Sequence, residues 1–268
     1  MTTADVPTRV TARTTDSVVA PLGVREVIEA GLFVGPIGFD LASPAPTSAF
    51  VDLERTVASR TLVVVSPTSG APAHGTAGGW ADLAFALRVP PQAHAGGLAA
   101  LGRIVEDSLA AMSLDRFDVL LLDGVDPFDH PASVADRVLA VLAAGSAAAL
   151  GLVGHTEAQV RALCAHLPAD LHLALLGVEL TDVSSSSLQQ GALDLALEFG
   201  TVPVIELHGG LALPGGEAVD PDAVSVLLHH PSRPVVLVRH DDLAGRAIAA
   251  ESLLRDLDRA TIRRLLDA

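Results

Sequence analysis

Short apolar runs alternate with amphipathic segments along the whole chain, and this rhythm restricts the fold more than any single motif does. The runs at 36–41, 60–66, 81–89, 117–123, 147–153, 171–180, 202–208 and 234–239 read as strands. "FDVLLLD" (117–123) and "PVVLVR" (234–239) show their character: apolar at consecutive positions, not at every second one. Strands of that kind need cover on both faces, which a parallel sheet wrapped in helices supplies. The segments between them have helical spacing. They cover 47–59, with Thr47 or Ser48 as N-cap, 96–114, 131–145, with Pro131 in the first turn, and 156–167. They continue with 185–200, closed by Gly200, then 220–230, 242–254 and a last helix at 258–268.

Eight such units in 268 residues fit a closed (β/α)8 TIM barrel better than an open sheet. A doubly wound sheet would carry a G-x-G-x-x-G turn after its first strand, and the sequence has none. "IEAGLFVGPIGF" (28–39) carries a turn and leads into the first strand. "PTSGAPAHGTAGGW" (67–80) is too rich in Gly and Pro for a full helix, so the second helix is expected to be shortened or missing. The expected organisation is a flexible segment over 1–24 followed by one barrel domain over 25–268.

Composition removes several function classes. The formal net charge of -15 argues against nucleic acid and anionic membranes as partners. All 17 basic residues are Arg, so Schiff-base chemistry by a lysine amine and a P-loop lysine are both excluded. There is no Tyr, a common general acid. Cys164 is the single cysteine, which excludes disulfides within the chain and thiolate-rich metal sites. At its helical spacing it reads either as an inert buried thiol or as a nucleophile. The first 20 residues lack a signal-peptide core, and no unbroken apolar run reaches the ~20 residues of a membrane span. The expectation is a soluble, cytoplasmic protein that acts on a small molecule, with no nucleic-acid or membrane partner. Homo-oligomerisation is left open. The Ala- and Arg-rich, Lys-free composition points to a high-GC bacterium and to specialised metabolism.

Five segments, in order, resemble the aldo-keto reductase superfamily: "GLFVGPIGFD" (31–40), "SLAAMSLDRFDVLLLDGVDP" (108–127), "AAALGLVGHTEAQVRAL" (147–163), "GTVPVIELHGGLA" (200–212) and "HHPSRPVVLVRHDDLAGRAIAA" (229–250). The resemblance implies the barrel fold, a nicotinamide cofactor and an Asp, Tyr, Lys, His catalytic tetrad. Carried over, the four fall on Val64, Ser69, Arg88 and Asp123, so none of the chemical types is retained. The absence of Tyr and Lys from the whole chain makes that independent of any alignment. The groups that would hold the carboxamide fall on Val153, Gly154 and near Gly177. The ring that would stack on the nicotinamide falls on Leu207. Asp241 and Asp242 stand where the 2′-phosphate would need Lys or Arg, and two carboxylates repel a phosphate, although Arg239 and Arg246 are near enough to compensate. No cofactor is therefore expected, with NAD(P)H disfavoured, and conventional carbonyl reduction is not expected.

In such barrels the site lies at the C-terminal ends of the strands. The polar residues collected there are Asp40, Ser66, Arg88, Asp123, His155, Glu179, Glu206, His208, Arg239 and His240. Arg88 and Asp123 end neighbouring strands and are expected to pair. The pair is either a structural salt bridge or an acid-base site, with Arg88 binding a substrate carboxylate or enolate. His155 is either part of that chemistry or a cap for the next helix. Glu206 and His208 flank Leu207, so both are expected to point into the mouth. The candidate catalytic set is Asp123, Arg88, His155, His208 and Glu206, and the candidate substrate contacts are Ser69, Asp40, Glu179, Arg239 and His240. The histidines match no metal-binding spacing, so no metal is expected. "SSSS" (184–187) reads as a loop and helix cap. The glycines of "HGGLALPGG" (208–216) offer either backbone amides to an anion or a mobile loop.

Overall fold

The apolar runs close into a barrel in the computed structural model of the chain. It describes residues 25–27, 32–34, 37–41, 61–67, 83–91, 98–124, 130–171, 173–178, 192–208 and 232–239. The barrel strands are β3 (Ile37–Leu41), β4 (Thr61–Val65), β5 (Leu83–Val89), β6 (Phe117–Asp123), β7 (Ala147–Val153), β8 (Leu173–Val178), β9 (Val202–His208) and β10 (Val235–Arg239). Each pairs in parallel with the next, and β10 returns to β3. All eight fall within or within a residue of the runs that the sequence marks as strands.

Each strand buries both faces, and the alternation of side chains sorts them into two seams. Leu62, Val64, Ala84, Ala86, Val119, Leu121, Val204 and Leu237 form the interior. Leu83, Phe85, Leu87, Val89, Leu120 and Leu122 face outward and meet helix residues such as Leu101, Val105, Val134 and Val138. Side chains of this size contribute about 1.5–3 kcal/mol each when fully buried, so the outer seam fastens the helices to the sheet. The interior is narrower and is filled by alternating large and small residues. A Cβ on Gly38 would lie 2.6 Å from Leu237 Cδ2, and one on Gly151 would lie 2.8 Å from Leu121 Cδ1.

The described helices are α1 (Leu98–Met112), α2 (Pro131–Ala143), α3 (Glu157–Cys164) and α4 (Ala192–Glu198). Pro131 opens α2, where its missing N–H costs nothing. Gly200, at φ 65°, ends α4, with Thr201 N–H donating to the Ala196 carbonyl at 2.9 Å. This is the left-handed C-terminal cap that a glycine there permits. At the other end of the barrel, Asp118 accepts the Phe85 N–H at 2.8 Å and ties the entrance of β6 to β5.

One element is absent from the sequence reading. β1 (Arg25–Val27) and β2 (Leu32–Val34) form an antiparallel hairpin ahead of β3. Val34 is fully buried among the interior residues, so β2 packs against the barrel. Three-residue strands are too short to show a period, and only their turn was legible. The flexible segment over 1–24, the helices at 47–59, 220–230, 242–254 and 258–268, the serine run at 184–187, the loop at 208–216 beyond His208, and the shortened second helix lie outside the described residues. Among those described, no helix is long and apolar enough to cross a membrane.

The glycines separate interior packing from helix propensity. A Cβ on Gly177 would lie 2.5 Å from Val153 Cγ1 and 2.8 Å from Val153 Cα, which is backbone and cannot give way. Gly102, within α1, has open space around its would-be Cβ. Gly177→Ala is expected to destabilise by about 1–3 kcal/mol through overpacking. Gly102→Ala is expected to stabilise by about 0.5–1 kcal/mol through helix propensity. Urea unfolding midpoints of the two variants read the opposite signs.

Candidate functional site

Four charged side chains meet where the strands end. Asp40 is next to last on β3, Arg88 next to last on β5 and Asp123 last on β6, while Glu206 stands two residues from the end of β9. All four continue the inward-facing row of their strands, above Gly38, Ala86, Leu121 and Val204. Arg88 joins them. Its Nε donates to Asp123 Oδ2 at 2.8 Å, and its Nη1 donates to both Asp40 Oδ2 at 3.0 Å and Glu206 Oε1 at 2.6 Å. β6 is the neighbour of β5, but β9 lies across the barrel, so the guanidinium spans the mouth.

Exposure grades the group from floor to rim. The Asp40 side chain is 4% exposed, Arg88 17%, Glu206 19% and Asp123 31%. Burial alone disfavours a charged guanidinium. The hydrogen bond to Asp123 and the negative charges of Glu206, Asp123 and Asp40 outweigh that, and the pKa of Arg88 rises further above its ordinary range. Arg88 is a permanent cation with an electrostatic role only. Glu206 moves the other way from most paired carboxylates. Burial pushes its pKa up, and the charges of Asp40 and Asp123 add to this, against the pull of Arg88.

Two glycines turn the chain away at the rim. Gly124 (φ 68°) follows Asp123 and donates to the Val153 carbonyl at 2.7 Å, and Gly154 (φ 64°) follows Val153. Both adopt left-handed backbone that favours glycine. A Cβ on Gly154 would lie 3.1 Å from Asp123 Oδ1, so the bare glycine leaves room for the carboxylate. The strand-end glycines in "LLLDG" and "GLVG" were the available sequence signal for this arrangement.

Of the ten polar residues expected at the mouth, the structure brings together Asp40, Arg88, Asp123 and Glu206. The expected Arg88–Asp123 pair is present, but it is half of the arrangement. Asp40 and Glu206 are not simply separate contacts in the mouth, because each is bonded to Arg88. The Nε and Nη1 of Arg88 are engaged by the protein's own carboxylates, two of which the sequence reading did not pair with it. His155 lies just beyond β7 with its Nδ1 2.6 Å from the Val153 carbonyl. The expected helix cap belongs instead to Thr156, which forms a capping box with Gln159. Ser66 follows β4. His208 and Arg239 are the last residues of β9 and β10, while their side chains, and all of Ser69, Glu179 and His240, lie outside the described residues. Cys164 is half-buried beside the outer core, and burial pushes its thiol pKa up, which favours the inert reading.

The positions that the resemblance assigns to a nicotinamide do not fit one in that manner. Val153 and Gly154 have no polar side chain, and Gly177 is packed against Val153. Leu207 faces the outer core with Ile205, so it cannot stack on anything in the mouth. Glu206 takes the inward position beside it. Val64 is fully buried in the interior. Among the described residues, no group of three or more His, Cys, Asp or Glu side chains is arranged to hold a metal ion.

Several solved structures are similar to this chain. A glycerol dehydrogenase of Gluconobacter oxydans matches at 11% identity with a TM-score of 0.64, over 91% of this chain and 96% of that one. A candidate aldo-keto reductase from Pseudomonas aeruginosa matches at 17% with a TM-score of 0.61, over 87% and 96%. An aldo-keto reductase of Klebsiella pneumoniae in complex with NADPH matches at 16% with a TM-score of 0.59, over 86% and 92%. At these identities the likeness shows the fold, the closed parallel barrel of the aldo-keto reductases. No family model and no curated protein matches the sequence.

The raised Glu206 pKa sets a pH dependence with a definite sign. The folded state holds the Glu206 proton more tightly than the unfolded chain does. The resulting stabilisation is complete below the ordinary glutamate pKa of about 4.3 and is lost as pH rises through the raised value. Glu206→Gln keeps the neutral shape and removes that titration. Its stability relative to the wild type is therefore expected to improve as pH rises from about 4 to about 7. Urea midpoints measured across that range test this; a flat or reversed difference contradicts it.

Proposed function

We propose that this barrel has lost carbonyl-reductase chemistry and catalyses a cofactor-independent proton-transfer reaction on a small molecule. The observation that carries the reading is the set of three carboxylates held by one guanidinium across the barrel mouth, where barrels of this kind keep their active sites. Asp123, at the exposed rim, is the base, and Glu206, whose pKa is raised, is the acid. Arg88 fixes both and stabilises negative charge that develops between them. His155 and His208, at or just beyond strand ends on the same side, are further candidates for proton transfer. Ser69, Glu179, Arg239 and His240 are proposed to line the substrate.

The reaction class follows from what two carboxyl groups can balance. Asp123 takes a proton from carbon, and Glu206 returns one elsewhere on the same molecule. Returned to carbon, the outcome is an isomerisation. Delivered to a leaving hydroxyl, the outcome is an alkene and water. In a carbon–carbon cleavage Asp123 takes a hydroxyl proton as that oxygen becomes a carbonyl, the carbon–carbon bond breaks, and Glu206 protonates the released carbon. In a cyclisation Asp123 takes the proton of a hydroxyl as its oxygen adds to a double bond, and Glu206 protonates the atom at the other end of that bond. None of these needs hydride. The absence of Tyr and Lys from the chain supports this reading, because the reductase tetrad draws on both. The rival is a nicotinamide-dependent oxidoreductase with a rearranged site, favoured by a shared fold with a structure that holds NADPH. We also place the protein in the cytoplasm, with a small molecule as its partner.

Calorimetric titration separates the two readings. NADPH and NADH are expected to give no saturable binding up to about 1 mM, which corresponds to less than about 4 kcal/mol of affinity. Saturable binding in the micromolar range would overturn the cofactor-free reaction. For a substrate found by screening, Asp123→Asn is expected to lower kcat by about 100-fold or more. A ligand bound without turnover, and bound equally well by Asp123→Asn, would point instead to a binding protein.

A further inference from the structure

The bridge made by Arg88 divides the mouth. β9 lies opposite β5, reached around the barrel either through β6, β7 and β8 or through β4, β3 and β10. The contact from Arg88 to Glu206 therefore crosses the middle, with Asp123 on one side of it and Asp40 on the other. We propose that the substrate occupies the side ringed by β6, β7 and β8 and meets Asp123 through Oδ1 over the bare Cα of Gly154, which makes Gly154 a specificity-determining residue of the site. This rests on the reading of the mouth as an acid-base site. It adds which half of the mouth holds the substrate and what part of the substrate lies there.

Three observations lead there. The first is exposure. The Asp123 side chain is 31% exposed and that of Asp40 only 4%, so of the two carboxylates beside the bridge Asp123 is the one a ligand can reach. The second is the use of the oxygens. Asp123 Oδ2 accepts from Arg88 Nε at 2.8 Å, and Oδ1 accepts no hydrogen bond among the described residues. Asp40, by contrast, has an interaction beyond its bond to Arg88. The third is the rim. Asp123 pairs in register with Val153, which places the next residue, Gly154, beside it. A Cβ on Gly154 would lie 3.1 Å from Asp123 Oδ1 and 3.4 Å from Gly124 N. Any side chain there would crowd the place beside Oδ1 that a reacting group needs, at a separation of ~3–3.5 Å. The other rim glycine differs, because a Cβ on Gly124 would meet Pro91 Cγ at 3.2 Å, so its bareness serves packing. The inner wall on this side continues with Val153 and Gly177, which alternate with the outward-facing Leu152, Leu176 and Val178. Neither has a side chain that hydrogen-bonds, and a polar group buried against them would go unpaired. The stretch of substrate that passes over Val153 and Gly177 between Asp123 and Glu206 is therefore hydrocarbon.

Carbodiimide coupling of the folded full chain to glycinamide tests this, read residue by residue from peptide masses. A carboxyl oxygen adds to the central carbon of the carbodiimide, and the amine then displaces the resulting urea to leave an amide. Asp123 is expected to couple faster than Asp40. Gly154→Ala is expected to slow coupling at Asp123 by about tenfold or more, since the added methyl stands beside Oδ1. Gly200→Ala has the same left-handed backbone, at φ 65°, and its added methyl meets nothing within 4 Å. It carries the backbone strain alone and is expected to leave the Asp123 rate unchanged. If Gly154→Ala does not fold, Gly154→Asn takes its place, because Asn accepts left-handed backbone more readily, and it is expected to slow coupling at least as far. Coupling at Asp123 that the Gly154 variant leaves at the wild-type rate, or speeds, would overturn the proposal. So would Asp40 coupling ahead of Asp123 in the wild type, which would place the open side at β4, β3 and β10. The labelling uses no substrate or cofactor, so it stands apart from the calorimetric test of the reaction. Micromolar NADPH binding with the predicted labelling intact would sink the reaction and leave the open side where it is placed here.

Discussion

The mouth of this barrel depends on one guanidinium. Arg88 reaches from β5 to carboxylates on β3, β6 and β9, the last of them on the far side of the barrel. One cation facing three anions is an unequal contest, and the inequality explains the site. Burial strengthens each attraction and each repulsion alike. The balance is struck by keeping Arg88 permanently charged and raising the pKa of Glu206. An ammonium is a compact point charge, whereas the planar fork of Arg presents donors along fixed directions to several acceptors at once. The Lys-free chain has placed its only suitable cation type at this position.

The rest of the barrel is built to hold those four strand ends still. Interior glycines and alanines let the strands close around Leu62, Leu121, Leu175 and Leu237, and the outer seam binds the helices over them. Gly124 and Gly154 then turn the chain outward without placing a side chain against Asp123. The fold is that of the aldo-keto reductases, and the interior packing that defines it is independent of the chemistry at the rim. A barrel can therefore lose one set of catalytic side chains and accommodate another, because the packed layers below are left unchanged.

Most of the barrel was legible in the sequence for a plain physical reason. A strand buried on both faces must be apolar at consecutive positions, and "TLVVV", "VLLLD" and "VVLVR" are so. The hairpin of β1 and β2 was not, because three residues carry no period. In the site, Arg88 and Asp123 end adjacent strands and could be paired from sequence alone. Asp40 and Glu206 lie 48 and 118 residues from Arg88 in the chain, and only closure of the barrel brings them to it. The misplaced Leu207 has a simpler cause. A shift of one residue along a strand exchanges its faces, so an alignment that is good to one position cannot decide which side chain enters the mouth.

The claim that Arg88 holds an opposing carboxylate across the barrel is open to a double-mutant cycle at neutral pH, with Arg88→Met, Glu206→Gln and the pair together. Removing Arg88 leaves the three carboxyl groups of the mouth without their cation and is expected to cost about 3 kcal/mol in unfolding free energy. Replacing Glu206 in that background removes the side chain that Arg88 holds across the mouth, so the account predicts a coupling of about 1–3 kcal/mol between the two positions. Costs that add to within about 0.5 kcal/mol would contradict it, since the two residues would then stand in the mouth without acting on each other.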